Sequence, residues 1–187
     1  MRAWRSLLLG AAVVSAAAGS ADAKIRLFSY DPANQVTERT AGDLTFEFSQ
    51  TLIFVKVLRI HSTEGHATAE VKPADEKVLG RGGLARLIGN FAPERDLYAV
   101  EPQDEGADMT AAFCPGSTQA WVAVGHIAEN RPLNVWVLGD DPKGGPARVC
   151  AKLSFTFHGE WRAPDDSDIE HNQERPPQGP SGVPGPS

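Results

Sequence analysis

The chain has 187 residues, with 24 acidic side chains against 18 basic ones and a formal net charge of −6. That mild acidity, with no basic stripe anywhere, speaks against nucleic acid or an anionic membrane surface as a partner. Two cysteines and 41% hydrophobic residues leave room for one packed domain.

The first stretch, "MRAWRSLLLGAAVVSAAAGSADA", carries Arg2 and Arg5 ahead of an apolar run from Leu7 to Ala18. Small residues at Ala21 and Ala23 then fit the positions that a signal peptidase reads, which predicts a signal peptide over residues 1–23. The run is too short to span a bilayer, and the two arginines are not adjacent, as a twin-arginine export signal requires. No cysteine lies near the cleavage point, so no lipid anchor is expected. The mature protein is expected to be soluble and exported, without membrane insertion after cleavage. The chain lacks an Asn-x-Ser/Thr sequon and the leader is short and Ala-rich. Those features point to the periplasm, with secretion as the alternative address.

Strand signals dominate the next 140 residues. "KIRLFSY" (24–30) alternates and sets Ile25, Leu27 and Ser29 on one face. "DLTFEFS" (43–49) sets Leu44, Phe46 and Phe48 inward against Thr45, Glu47 and Ser49. The half-buried strand has this period of two. From Asp43 to His61 there is no glycine or proline. As one strand this run would reach about 60 Å, against a domain diameter of about 37 Å. A break is therefore predicted around residues 49–51.

"LRIHSTEGHATAEVK" (58–72) reads as a hairpin with Leu58 and Ile60 inward on its first strand and Ala67, Ala69 and Val71 inward on its second. Matching those faces pairs Ile60 near Ala67 and sets His61 opposite or diagonal to His66 on the outer face. Glu64 falls in the turn, beside the permissive Gly65. Two imidazoles and a carboxylate form a weak candidate site for copper or zinc. The spacing is not HExxH, which excludes the zinc-protease pattern. The plainer account is a solvated hairpin tip.

Two short helices are predicted, one within "GGLARLIGN" (82–90) and one in "DMTAAFC" (108–114), with Asp108 as N-cap and Pro115–Gly116 as the stop. "QAWVAVGHI" (119–127) and "LNVWVLG" (133–139) are apolar on both faces, which suits strands covered on both sides. "GDDPKGGPAR" (139–148) is a hairpin loop that carries Asp140 and Asp141. "CAKLSFTFHGEW" (150–161) alternates with Leu153, Phe155, Phe157 and Trp161 inward. From Pro164 the chain turns acidic and then rich in proline and glycine, with too little apolar mass to fold, so a disordered tail is expected over 164–187. Without the leader the net charge becomes −7; the tail holds −4 of that, leaving about −3 on the domain of residues 24–163.

Cys114 and Cys150 are the only cysteines. In an exported chain an even count favours a disulfide, and their spacing is unlike a CxxC redox or metal pair. The sum of these signals is an all-β, mainly antiparallel fold. A two-sheet β-sandwich of about eight strands with one or two short helices is expected, and a small closed barrel is the alternative.

Chemistry-bearing patterns are sparse. Ser117 in "CPGST" lacks the strand–elbow–helix context of a hydrolase nucleophile, so a turn role is expected for it. His126, His158 and the Asp140–Asp141 pair are the remaining groups from which a hydrolase site could assemble. Trp121, Trp136 and Trp161 are candidates for a carbohydrate-binding face but sit in apolar strands that favour core. The expected function is a non-catalytic periplasmic interaction module without catalytic residues or cofactor, whose partner is an envelope protein or peptide. A metal-handling protein using His61, Glu64 and His66 is the alternative, and a small hydrolase the second.

Overall fold

A computed structural model describes residues 24–50, 55–64 and 67–162; the expected signal peptide, the tail and His66 lie outside the described residues. Eight antiparallel strands follow one another around a closed barrel: β1 (Lys24–Pro32), β2 (Leu44–Gln50), β3 (Val55–Ser62), β4 (Ala67–Pro73), β5 (Asp96–Val100), β6 (Ala120–Val124), β7 (Leu133–Gly139) and β8 (Arg148–Arg162). The antiparallel all-β class and the strand count are as the sequence predicts, and β2 ends at Gln50, where a break was expected. The two-sheet sandwich is overturned in favour of the barrel. The reason lies in β8, whose 15 residues pair with β7 through residues 148–155 and with β1 through 155–162. One strand long enough to serve two neighbours at different heights supplies the stagger that closes a sheet.

The interior is solid. Tyr30, Phe46, Phe155, Leu44, Ile60 and Leu153 are all at most 1% exposed. Phe28, Phe48, Phe157, Tyr30 and Phe46 meet edge to face at centroid distances of 4.7–6.1 Å, the arrangement that the ring quadrupoles favour. Burial pushes the Tyr30 hydroxyl up to about 12, against a hydrogen bond it donates to the Ala128 carbonyl at 3.5 Å.

The facing of three strands is settled by the structure, in β3 and β8 through bulges. In β1 the inward residues are Phe28 and Tyr30, with Leu27 half-buried and Ile25 exposed. In β3 the pairing jumps from Glu47↔Arg59 to Phe48↔Val57. Leu58 is taken up by that irregularity, so Val57 and Ile60 point inward instead of Leu58 and Ile60. In β8 the pairing jumps from Tyr30↔Phe157 to Ser29↔Gly159, which inserts His158. One extra residue reverses the side-chain alternation, and Trp161 consequently points out, 59% exposed.

Among the described residues, three α-helices accompany the barrel. α1 (Gln35–Ala41) was not predicted, although Asn34 accepts from the Thr37 N–H at 2.9 Å as an N-cap and Gly42 closes the helix. Thr37 is fully buried and accepts from the Ser154 N–H at 3.0 Å, fixing α1 to β8. α2 (Gly83–Ile88) lies where a helix was predicted. α3 (Gly106–Phe113) starts before the predicted Asp108, with Glu105 at its N-cap position. It drives Met109 and Phe113 into the core. Gly106 is required there, because a Cβ would fall 1.8 Å from the Glu101 carbonyl oxygen. The chain connections β1–β2, β5–β6 and β7–β8 share one end of the barrel. There Cys114, at the end of α3, is disulfide-bonded to Cys150 of β8, with Cα atoms 5.2 Å apart. A bridge of this kind belongs to an oxidising compartment. No helix among the described residues is long and apolar enough to cross a membrane.

Outside the barrel, a 3₁₀ turn (Glu76–Leu79) and α2 cover the wall formed by β5, β6 and β7. Leu79 and Leu84 bury themselves on Leu97, Trp121, Ala123 and Leu138. Arg86 ties this cover down by donating to the carbonyls of Leu79 and Ala147 at 3.2 and 2.9 Å. The doubly apolar sequences of β6 and β7 are thereby explained, since one face meets the barrel core and the other meets this cover.

Candidate functional site

Among the described residues, the outer wall of β2, β3 and β4 has no such cover. Alternation brings Glu47, Arg59, His61, Thr68 and Glu70 to the surface of three neighbouring strands. The His61 Nδ1 stands 3.0 Å from Thr68 Oγ1, its directly paired residue. Its Nε2 is buried and lies 3.5 Å from Glu47 Oε2, too long and poorly aligned for a hydrogen bond. Arg59 spans Glu47 at 3.5 Å and Glu70 at 3.6 Å. These are loose, half-solvated ion pairs, each worth less than about 1 kcal/mol.

The hairpin register differs from the sequence expectation by two residues. Ile60 pairs with Ala69, not near Ala67, and Thr68 occupies the position opposite His61. Ile60, Ala67, Ala69 and Val71 still point inward and His61 and Thr68 outward, since a shift of two preserves the face; Leu58 alone leaves the expected inward set. Glu64 is exposed in the turn, its carbonyl accepting from Ser62 Oγ at 3.0 Å. The proposed proximity of His61 and His66 falls outside the described residues. Among the described residues no group of three His, Cys, Asp or Glu side chains is arranged to hold a metal ion.

The other candidates do not converge. Asp140 is a loop brace: its Oδ1 accepts from the N–H groups of Thr118 and Gln119 at 2.8 and 2.9 Å, and its Oδ2 from the Thr118 hydroxyl at 2.7 Å. Partial burial pushes its carboxyl up, but these hydrogen bonds outweigh that effect and hold it below the ordinary aspartate value. Asp141 accepts from the Lys143 N–H in the β7–β8 turn. Ser117 donates to the Asp140 carbonyl at 2.8 Å and accepts from Arg148 at 3.1 Å, which is a turn role. His158 pairs with Asp31 at 2.9 Å on the open surface of β1 and β8. His126 is exposed in the β6–β7 connection. Trp121 and Trp136 lie under or beside the α2 cover, and Trp136 donates to the buried Glu94 at 3.3 Å. Of the three tryptophans considered for a carbohydrate face, Trp161 alone stands clear of the apolar interior, beside Leu27 across the strand pair.

Two features escaped the sequence. At the barrel mouth near the N-terminal end of β1, Arg26 forms a two-pronged pair with Glu160 at 2.6 and 2.8 Å and reaches Gln50 at 2.6 Å and Glu129. The guanidinium lies over the Phe28 ring at 4.9 Å, and Glu160 above all raises its pKa. These partners are 24 to 134 residues away in the chain, which no local pattern could reveal. The second is an acidic cleft of about 290 Å³ between β4 and the β5–α3 connection, walled by Arg59, Thr68 and Glu70 on one side and Glu101, Asp104 and Glu105 on the other. No protein-family model, curated protein or solved structure matches the chain.

Proposed function

We propose that the chain is an exported, non-catalytic interaction module of the periplasm that binds an envelope protein or peptide through its outer surface. The observation that carries this reading is the filled barrel. Its interior is packed with aromatic and aliphatic side chains, leaving the fold no central chamber of the kind in which larger barrels hold ligands. Recognition therefore falls to the wall. The groups from which a hydrolase would be assembled are spread over strand β8 and separate loops, and Asp140 and Ser117 are engaged in holding their loop, whereas an active site needs them convergent in one pocket. The disulfide fits an oxidising, extracytoplasmic address, and the leader-like residues 1–23 favour the periplasm.

The test is photo-crosslinking in living cells, with a photoreactive side chain placed in turn at Ser29, Thr45 and Glu70 on the uncovered wall. A discrete adduct with one envelope protein is the expected result. The proposal fails if these positions give no adduct while the purified protein turns over ester, amide or glycoside substrates and loses that turnover in His158→Ala.

One observation favours the metal-handling alternative. The buried, unpartnered His61 Nε2 and the Glu47 carboxylate stand 3.5 Å apart, close to the separation of two ligands on one tetrahedral ion with bonds of about 2.1 Å. Titration with Cu(II) or Zn(II) decides it. A submicromolar site abolished by His61→Ala would put this reading first.

A further inference from the structure

Closing a sheet into a barrel removes its edges, but β4 keeps a short one. Its ladder to β3 runs from Ala67 to Glu70. Its ladder to β5 pairs Val71, Lys72 and Pro73 and ends with the bond from Glu101 N–H to the Glu70 carbonyl at 2.9 Å. Beyond that point β5 has finished, and residues 101–105 turn into α3, whose first residue, Gly106, lies beside Glu101 and Ala69. In an antiparallel ladder the N–H and C=O of a residue point to the same side, and alternate residues face alternate neighbours. Glu70 faces β5, so Thr68 faces the same way, where no strand among the described residues meets it. The Thr68 N–H donates to Glu105 Oε2 at 2.6 Å. A carboxylate oxygen stands where a paired strand would place its carbonyl. Glu105 occupies the N-cap position of α3, yet its side chain caps no N–H of that helix.

The surroundings of this edge are strongly acidic. Glu70, Glu101, Asp104 and Glu105 line the cleft, against Arg59 as the one cationic wall residue among the described residues. Lys72 stands nearby, bound to Glu101 at 2.7 Å. Two features thus coincide here: a strand edge whose N–H is capped by a side chain, and an excess of negative charge around it.

We propose that this notch receives an extended, basic peptide segment of a partner protein, which adds to β4 at Thr68. The inference rests on the reading of the chain as an interaction module and names its docking point. The incoming backbone carbonyl takes the Thr68 N–H and displaces Glu105, whose freed carboxylate then meets a lysine or arginine side chain of the same segment. Main-chain bonds supply the attachment and the acidic walls select the sequence. Before binding, the Glu105 cap keeps the edge from pairing with another copy of the chain.

The test uses the exported full chain, isotope-labelled, titrated with a blocked peptide of alternating lysine and valine and followed by amide chemical shifts. Saturable shifts centred on Thr68, Glu70 and Glu105 are expected. Thr68→Pro removes the N–H without touching the β3 ladder and should weaken binding at least about tenfold, as should Asp104→Lys combined with Glu105→Lys. A peptide N-methylated at alternate residues should bind at least about tenfold more weakly than its parent. Equal binding of the two would overturn strand addition, and so would shifts that map to another part of the wall. If the lysine–valine peptide gives no shifts while crosslinking on the wall still captures a protein, the notch proposal falls and the interaction-module reading stands.

Discussion

The wall of β5–β7 and the wall of β1–β4 belong to one barrel and share one core, yet their outer faces differ. The first is roofed by α2, so Trp121 is 9% exposed and Leu138 fully buried although both belong to the outer cluster. The second is bare, and its outward residues are Ser29, Thr45, Glu47, Arg59, His61 and Thr68. The difference shows where stability and recognition divide. The roofed half is a second hydrophobic core, and the outer face of β2–β4 holds the loose pairs of Arg59 with Glu47 and Glu70, which a partner can replace at small cost.

Four measurements test that contrast. The largest effect is expected at the barrel end that both halves share. Replacing Cys114 and Cys150 by serine should cost about 4 kcal/mol, the loop-entropy value for a separation of 36 residues, read from denaturant midpoints. Quantitative thiol labelling of the native, non-reduced protein would contradict the bridge. Next comes a comparison of two tryptophans on the outside of the wall. Trp121→Ala, under the roof, should cost about 3 kcal/mol. Trp161→Ala, on the bare side, should stay within about 0.5 kcal/mol. Equal losses in thermal unfolding would mean that the two faces do not differ as described.

Asp140→Ala should cost about 1–2 kcal/mol, because it leaves the Thr118 and Gln119 N–H groups without their acceptor. The sign of the pH dependence follows from the depressed folded-state pKa. Asp140 contributes its stability above the unfolded value, about 3.9, and that contribution disappears as pH falls through the lower folded value. Wild type and variant should therefore converge in acid; a gap that widens there would contradict the brace. The smallest effect is expected at His61→Ala, less than about 1 kcal/mol, because its contacts are one hydroxyl bond and a loose carboxylate contact. A loss several times larger would show that the bare wall carries structural weight.

Much of this contrast could be read from local pattern. The alternation in β2 and β4 placed Phe46, Phe48, Ala67, Ala69 and Val71 inward, as they are, because a period of two needs no knowledge of neighbours. The unbroken apolar runs of β6 and β7 implied cover on both faces, and the lone cysteine pair implied its bridge. The candidate site was less legible. His61 was rightly placed on the outer face, but the hairpin register differed by two residues, and Thr68 lies directly across from it. The cleft went unseen because Glu70 and Glu105 carry no pattern that joins them.

What the sequence determined by itself was the β class, the strand count, the outer cover's helix and the disulfide, all of which follow from composition, periodicity and pairing within short windows. The tertiary structure alone decided barrel over sandwich, the outward turn of Trp161 and the free edge at Thr68. Closure depends on the stagger between β8 and its two neighbours, the facing of Trp161 on one inserted residue at His158, and the edge on where β5 stops relative to β4. Each of these is set by strands meeting across the barrel, and the free energy that fixes them comes from packing between residues distant in the chain, to which no local pattern is sensitive.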